Sequence, residues 1–127
     1  MAGIPTTYVI DDDYAVRDSI CVLLETIGFV VRAYATCAAF LREAQLETNS
    51  CLLIDLDSSS EMTVIQLLDQ FRRDKIEVRV IVMANLLDRA AGARVRAAVE
   101  RAGARLLDKP FETGELVRCI KAVLSDK

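Results

Sequence analysis

Cys51-Leu52-Leu53-Ile54-Asp55 is an unbroken apolar run that stops on a carboxylate. No polar residue alternates within it. A strand of that kind is buried on both faces and needs helices above and below its sheet. Working outward, Tyr8-Val9-Ile10 ends in the same way, on Asp11-Asp12-Asp13. Val16, Ile20, Leu23, Leu24 and Ile27 then recur at helical spacing until Gly28. Phe29 to Tyr34 reads as a second strand, and Thr36 as the cap of a helix carrying Ala39, Phe40 and Ala44. Beyond Asp55, Val64, Leu67, Leu68 and Phe71 mark a third helix, and Val80-Ile81-Val82-Met83 a fourth strand. A long helix is predicted from about Asp88 to Ala102, with Gly103 as its C-terminal cap. Leu106-Leu107 is a short fifth strand, ended by Lys109-Pro110, and Leu116, Ile120, Val123 and Leu124 form a last helical stripe. Five β-then-α units imply an α/β fold with a parallel sheet and helices on both faces.

The chain has 127 residues, 53% of them hydrophobic and 28% charged, which suits one packed domain over residues 1–127. Its net charge is −3 and its sequence pI is near 5.0. A stand-alone nucleic-acid binder would carry a basic patch and a pI above about 9. The absence of histidine excludes a His-based triad and His-containing zinc sites. No apolar run reaches the length of about 18 residues that a membrane span needs, and no basic segment precedes an apolar one at the start, so neither span nor signal peptide is expected. Cys21, Cys37, Cys51 and Cys119 form no Cys-x-x-Cys pair and sit among apolar neighbours, which reads as reduced, mostly buried thiols in a cytoplasmic protein.

Ligands of open parallel sheets bind at the carboxyl ends of the strands. Asp11 and Asp12 follow the first strand, Asp55 and Asp57 the third, Asn85 the fourth and Lys109 the fifth. If the first strand lies beside the third, Asp12 and Asp55 converge on one edge. Converging carboxylates repel one another unless a cation neutralises them, and a hard divalent ion such as Mg²⁺ suits oxygen ligands. Lys109 adds a second positive charge. A carboxylate held between a metal and an ammonium can act as a nucleophile toward phosphorus. Asp13 and Asp88 read instead as helix-start residues.

The ordered set Val9-Ile10-Asp11-Asp12-Asp13, Val16-Arg17, Leu53-Ile54-Asp55, Ala102-Gly103-Ala104 and Asp108-Lys109-Pro110-Phe111 resembles the receiver domain of two-component response regulators, over almost the whole chain. It is most similar to receivers of the nitrogen-fixation type. The resemblance implies a flavodoxin-like (βα)5 three-layer sandwich with strand order 2-1-3-4-5. It implies phosphoryl transfer from a sensor histidine kinase to Asp55, with Mg²⁺ or Mn²⁺ held by the Asp12 and Asp55 carboxylates and the Asp57 backbone carbonyl, and by Asp11 through a metal-bound water. Lys109 would pair with Asp55 and then with the phosphoryl oxygens, Asn85 and Pro110 would line the pocket, and the bond before Pro110 would be cis. Further implied partners are an output domain or downstream protein, and a second copy through the face of the fourth helix, fifth strand and fifth helix. Neither nucleic acid nor a membrane is a partner of this domain alone.

Two switch positions depart from the family pattern. Ala84 stands where typical receivers carry Thr or Ser at the end of strand four. Leu106 stands where they carry Tyr or Phe, three residues before the lysine. The usual Met-Pro-x-Met-x-Gly loop is replaced by Asp57-Ser58-Ser59-Ser60-Glu61-Met62-Thr63. Asp55 is therefore expected to accept phosphate while switching atypically. An alternative is a pseudo-receiver that acts as a phosphorylation-independent interaction module. Asp55-Leu56-Asp57 also resembles the Asp-x-Asp nucleophile motif of haloacid-dehalogenase phosphatases, although that family places its acidic pair after the motif and not before it.

Overall fold

In a computed structural model, residues 5–46, 49–56, 64–85 and 89–125 are described. Five strands, β1 (Thr6–Ile10), β2 (Val30–Tyr34), β3 (Ser50–Asp55), β4 (Val78–Ala84) and β5 (Arg105–Asp108), alternate with α1 (Tyr14–Ile27), α2 (Cys37–Glu43), α3 (Val64–Arg73), α4 (Arg89–Arg101) and α5 (Thr113–Ser125). All pairings are parallel, in the order β2-β1-β3-β4-β5. This is the flavodoxin-like arrangement anticipated above.

The central strand accounts for the layers. Every residue of β3 is buried. Leu52 and Ile54 join Tyr8, Ile10, Phe40, Leu67, Phe71 and Val99 in the cluster under α2, α3 and α4. Cys51 and Leu53 join Val9, Ile20, Leu24, Leu116 and Ile120 in the cluster under α1 and α5. Alternate side chains of a strand point to opposite faces, so one apolar run serves both layers.

Local chemistry sets the element ends. Asp13 caps α1, its carboxylate accepting from the Ala15 and Val16 amides at 3.0 and 3.3 Å. Gly28 closes α1 at φ 110°, in the left-handed region that glycine tolerates without a Cβ penalty. Thr36 caps α2 through the Ala39 amide at 3.0 Å. Lys75 takes a left-handed φ of 55° after α3, in a position where glycine is more usual.

The buried part of the stripe expected along α1 is shorter than its spacing suggested. Ile20 and Leu24 are buried, but Val16 and Ile27 are 40% and 43% exposed. Both lie in line with the buried residues but in the first and last turns of the helix. Ala44 is the C-cap of α2 and not part of the helix. Strands β1, β4 and β5 extend beyond their apolar runs, and β2 begins at Val30. Asp88 lies outside the described residues, as does the loop 57–63.

Candidate functional site

The carboxyl ends of β1, β3, β4 and β5 form one rim. Asp11 follows Ile10 at the end of β1, where its N–H donates to the Tyr34 carbonyl of β2 at 3.2 Å. Its Oδ1 accepts from the Asp13 N–H at 2.9 Å, and its carbonyl accepts from Arg17 Nη1 at 2.6 Å. Asp55 is the last residue of β3, in register with Met83 of β4. Lys109 follows β5, and its N–H donates to the Ala84 carbonyl at 2.8 Å. Its ammonium donates to Asp55 Oδ1 at 2.7 Å.

Burial differs sharply across the acidic trio. Asp11 is 1% exposed and Asp55 6%, whereas Asp12 is exposed. Burial pushes the Asp11 carboxyl above its ordinary value of 3.8. The Asp13 amide opposes that rise, the Asp55 charge adds to it, Lys109 opposes it and Asp12 adds to it. Among the described residues, one ligand oxygen from each of Asp11, Asp12 and Asp55 lies within 4.8 Å of the others. Ligands of an octahedral Mg²⁺ stand about 3 Å apart when adjacent and about 4 Å when opposite, so the three carboxylates are near enough to converge on one ion by drawing together. The donors are all hard oxygens, the set that Mg²⁺ and Mn²⁺ prefer.

Asp11, Asp12, Asp55 and Lys109 are thus brought together as the sequence suggested. Asp57 lies outside the described residues. Ala84 is buried at the end of β4, while Asn85 next to it is exposed. Leu106 packs partly buried against the α2–α3–α4 cluster. Pro110 is exposed and follows a cis peptide bond. On α4, Arg96 pairs with Asp108 at 3.4 Å across an exposed surface, and the Arg101 carbonyl accepts from Arg72. Sequence reasoning gave Arg17 no role. Its partner is a backbone carbonyl, and no residue pattern marks such a bond in advance.

All four cysteines are free, and three are buried. Burial raises each thiol, and the Cys51 thiol is pushed up to about 12. No helix among the described residues is long and apolar enough to cross a membrane.

Comparison with known proteins agrees with this geometry. A family model described as the response regulator receiver domain matches residues 7–121. The transcriptional regulatory protein FixJ of Azorhizobium caulinodans is 30% identical over 117 residues, covering 92% of this chain and 54% of FixJ. FixJ of Rhizobium meliloti is 32% identical over 119 residues, covering 91% of this chain and 55% of the relative. Among solved structures, the crystal structure of FixJ-N superposes with a TM-score of 0.85 at 27% identity, covering 99% of this chain and 98% of that one. Full-length FixJ from B. japonicum gives 0.83 at 27% identity, covering 97% of this chain and 59% of that one. The chain spans about half the length of the curated relatives it matches.

Proposed function

The chain belongs to the response regulator receiver family, a family of signalling domains, and on that premise we propose that Asp55 is the phosphoacceptor of a two-component phosphorelay. The observation that carries this reading is the Lys109–Asp55 pair, 2.7 Å long, in which Asp55 also belongs to a trio of carboxylates whose oxygens lie within 4.8 Å of one another. A carboxylate oxygen of Asp55 attacks the phosphorus of a phosphohistidine on a sensor kinase. The new P–O bond forms as the P–N bond breaks, and the imidazole nitrogen leaves with that electron pair. Asp11, Asp12 and Asp55, with the Asp57 backbone carbonyl, would hold Mg²⁺ or Mn²⁺, and the ion would offset the negative charge on the carboxylates and the incoming phosphoryl oxygens. Lys109 fixes the carboxylate through Oδ1 and then follows the charge onto the phosphoryl group. Its own backbone is held by the Ala84 carbonyl, so the ammonium starts from a set position.

Switching is atypical in this reading. Ala84 has no hydroxyl to bond the phosphoryl group, a contact worth about 1.5–3 kcal/mol when the partner is charged. Leu106 has no aromatic ring to reorient. A conformational switch needs contacts that differ between its two states, and both usual ones are missing. The matched relatives are transcriptional regulators about twice as long, which supports coupling of this domain to an output module. A cytoplasmic setting and a second copy docked on the α4–β5–α5 face belong to the same proposal. With a net charge of −3, the domain lacks the overall basic charge that nucleic acids and anionic membranes attract.

Ala84 and Leu106 also favour a second reading, a pseudo-receiver that binds its partner without phosphate. Incubation with acetyl phosphate and Mg²⁺, followed by intact mass, separates the two. A gain of one phosphoryl group that is lost in Asp55→Ala supports the phosphoacceptor. An unchanged mass supports the pseudo-receiver.

A further inference from the structure

Asp12 presents a particular problem. It is the exposed member of the acidic trio, on a short loop between β1 and α1, yet its carboxylate has to meet those of Asp11 and Asp55. Its backbone leaves from the peptide unit that joins it to Asp11. The carbonyl of that unit accepts from Arg17 Nη1 at 2.6 Å, a bond reaching back six residues from the first turn of α1. The guanidinium also lies 5.4 Å from the centroid of the Tyr14 ring, within cation–π range. Tyr14 is 70% exposed and contributes little to the core, so this contact accounts for a large aromatic side chain left in solvent.

The choice of acceptor matters. An arginine paired with the carboxylates themselves would compete with a metal ion for their oxygens. Bonded to the carbonyl, it orients the peptide and leaves those oxygens to the ion. Arginine is also charged at every working pH, so the clamp does not titrate.

We infer that Arg17, held against the Tyr14 ring, is a positioning residue for the divalent-cation site: its bond to the Asp11 carbonyl sets the direction of the Asp12 carboxylate and thereby the affinity of the site. This rests on the cation-site reading above. Groups behind a ligand commonly tune a site in this way, and their loss costs about 10–100-fold in metal affinity.

Positioning and bulk charge predict opposite signs. Arg17 is a cation beside an acidic cluster, so its removal by charge alone would tighten Mg²⁺ binding. Loss of positioning weakens it. The test is a Mg²⁺ titration of the whole chain at fixed ionic strength, with the dissociation constant read from amide chemical shifts. Arg17→Ala is expected to weaken binding about tenfold. Arg17→Lys recovers part of the loss, since an ammonium can donate to the same carbonyl. Tyr14→Ala weakens binding about threefold. Val22→Ala, exposed on the same helix, leaves the constant unchanged. Unchanged or tighter binding by Arg17→Ala overturns the inference. If Arg17→Ala does not fold, Tyr14→Ala decides alone, because its exposed ring can be lost without opening the core, and unchanged binding there is equally fatal. A parent chain that binds no Mg²⁺ removes the cation-site reading itself. A parent that binds Mg²⁺ and loses it in Asp12→Asn keeps that reading, whatever Arg17 does.

Discussion

Lys109 Nζ and Asp55 Oδ1 stand 2.7 Å apart although 54 residues separate them, and β4 lies between the two strands that carry them. The pair joins strands that share no backbone hydrogen bond. The side chains are 27% and 8% exposed, so water screens the contact only in part.

Removing the ammonium is expected to slow phosphoryl uptake. In Lys109→Ala the phosphoryl oxygens lose a cation placed for their developing charge, and loss of one such group costs about 100-fold in rate. The time course of mass gain with acetyl phosphate and Mg²⁺ measures this. Parent-like kinetics would leave Lys109 with a purely structural role.

Asp12→Asn is expected to stabilise the metal-free protein and to abolish its stabilisation by Mg²⁺. Like charges about 4 Å apart repel by about 1 kcal/mol in water, and the amide removes that repulsion together with a ligand. Thermal melting in EDTA and in Mg²⁺ reads both effects. A lower melting temperature in EDTA would contradict the repulsion argument.

Ala84→Thr combined with Leu106→Tyr is expected to restore long-range switching. In the parent, amide shifts on adding beryllofluoride should stay near Asp55. In the double variant they should spread along β4 and β5. A full response across that face in the parent would refute impaired switching.

Cys51 provides a pH prediction. Its thiol ionises at 9.0 in the unfolded chain and at about 12 when folded. The folded pKa is the higher one, so the stabilisation is fully present below pH 9 and is lost as pH rises toward 12. Across that window the unfolded thiol sheds its proton first and favours unfolding. Iodoacetamide at pH 8 should therefore leave Cys51 unmodified in the native protein and label it in urea, as peptide mass mapping would report. Labelling of the native chain would show that β3 is accessible.

Much of this molecule was legible in its residues because β3 is so plainly written. Leu52 and Ile54 serve one layer, Cys51 and Leu53 the other, and the run stops where Asp55 reaches the rim. The same logic placed Asp11, Asp12 and Lys109, and family membership sets Asp55 in a receiver and not in a haloacid-dehalogenase phosphatase. Contacts between distant or irregular segments were not legible. Spacing along α1 cannot tell that Val16 and Ile27, in its end turns, are left exposed, because that depends on how far the neighbouring elements extend along the helix. The Arg17 bond to a carbonyl has no motif, since every residue has a carbonyl. The left-handed φ of Lys75 was hidden for a related reason: a helix end usually announces itself with glycine.

Among the described residues, the sheet divides the buried apolar side chains into two clusters, one on each face. Leu106 presses on the one that holds Phe40 and Phe71. Whatever message a ring at that position would relay is therefore delivered one-sidedly, toward α4, while α1 and α5 behind the partition remain quiet. Changes made on the two sides, such as Leu106→Tyr and Ile120→Val, should then add in free energy with little cross-talk.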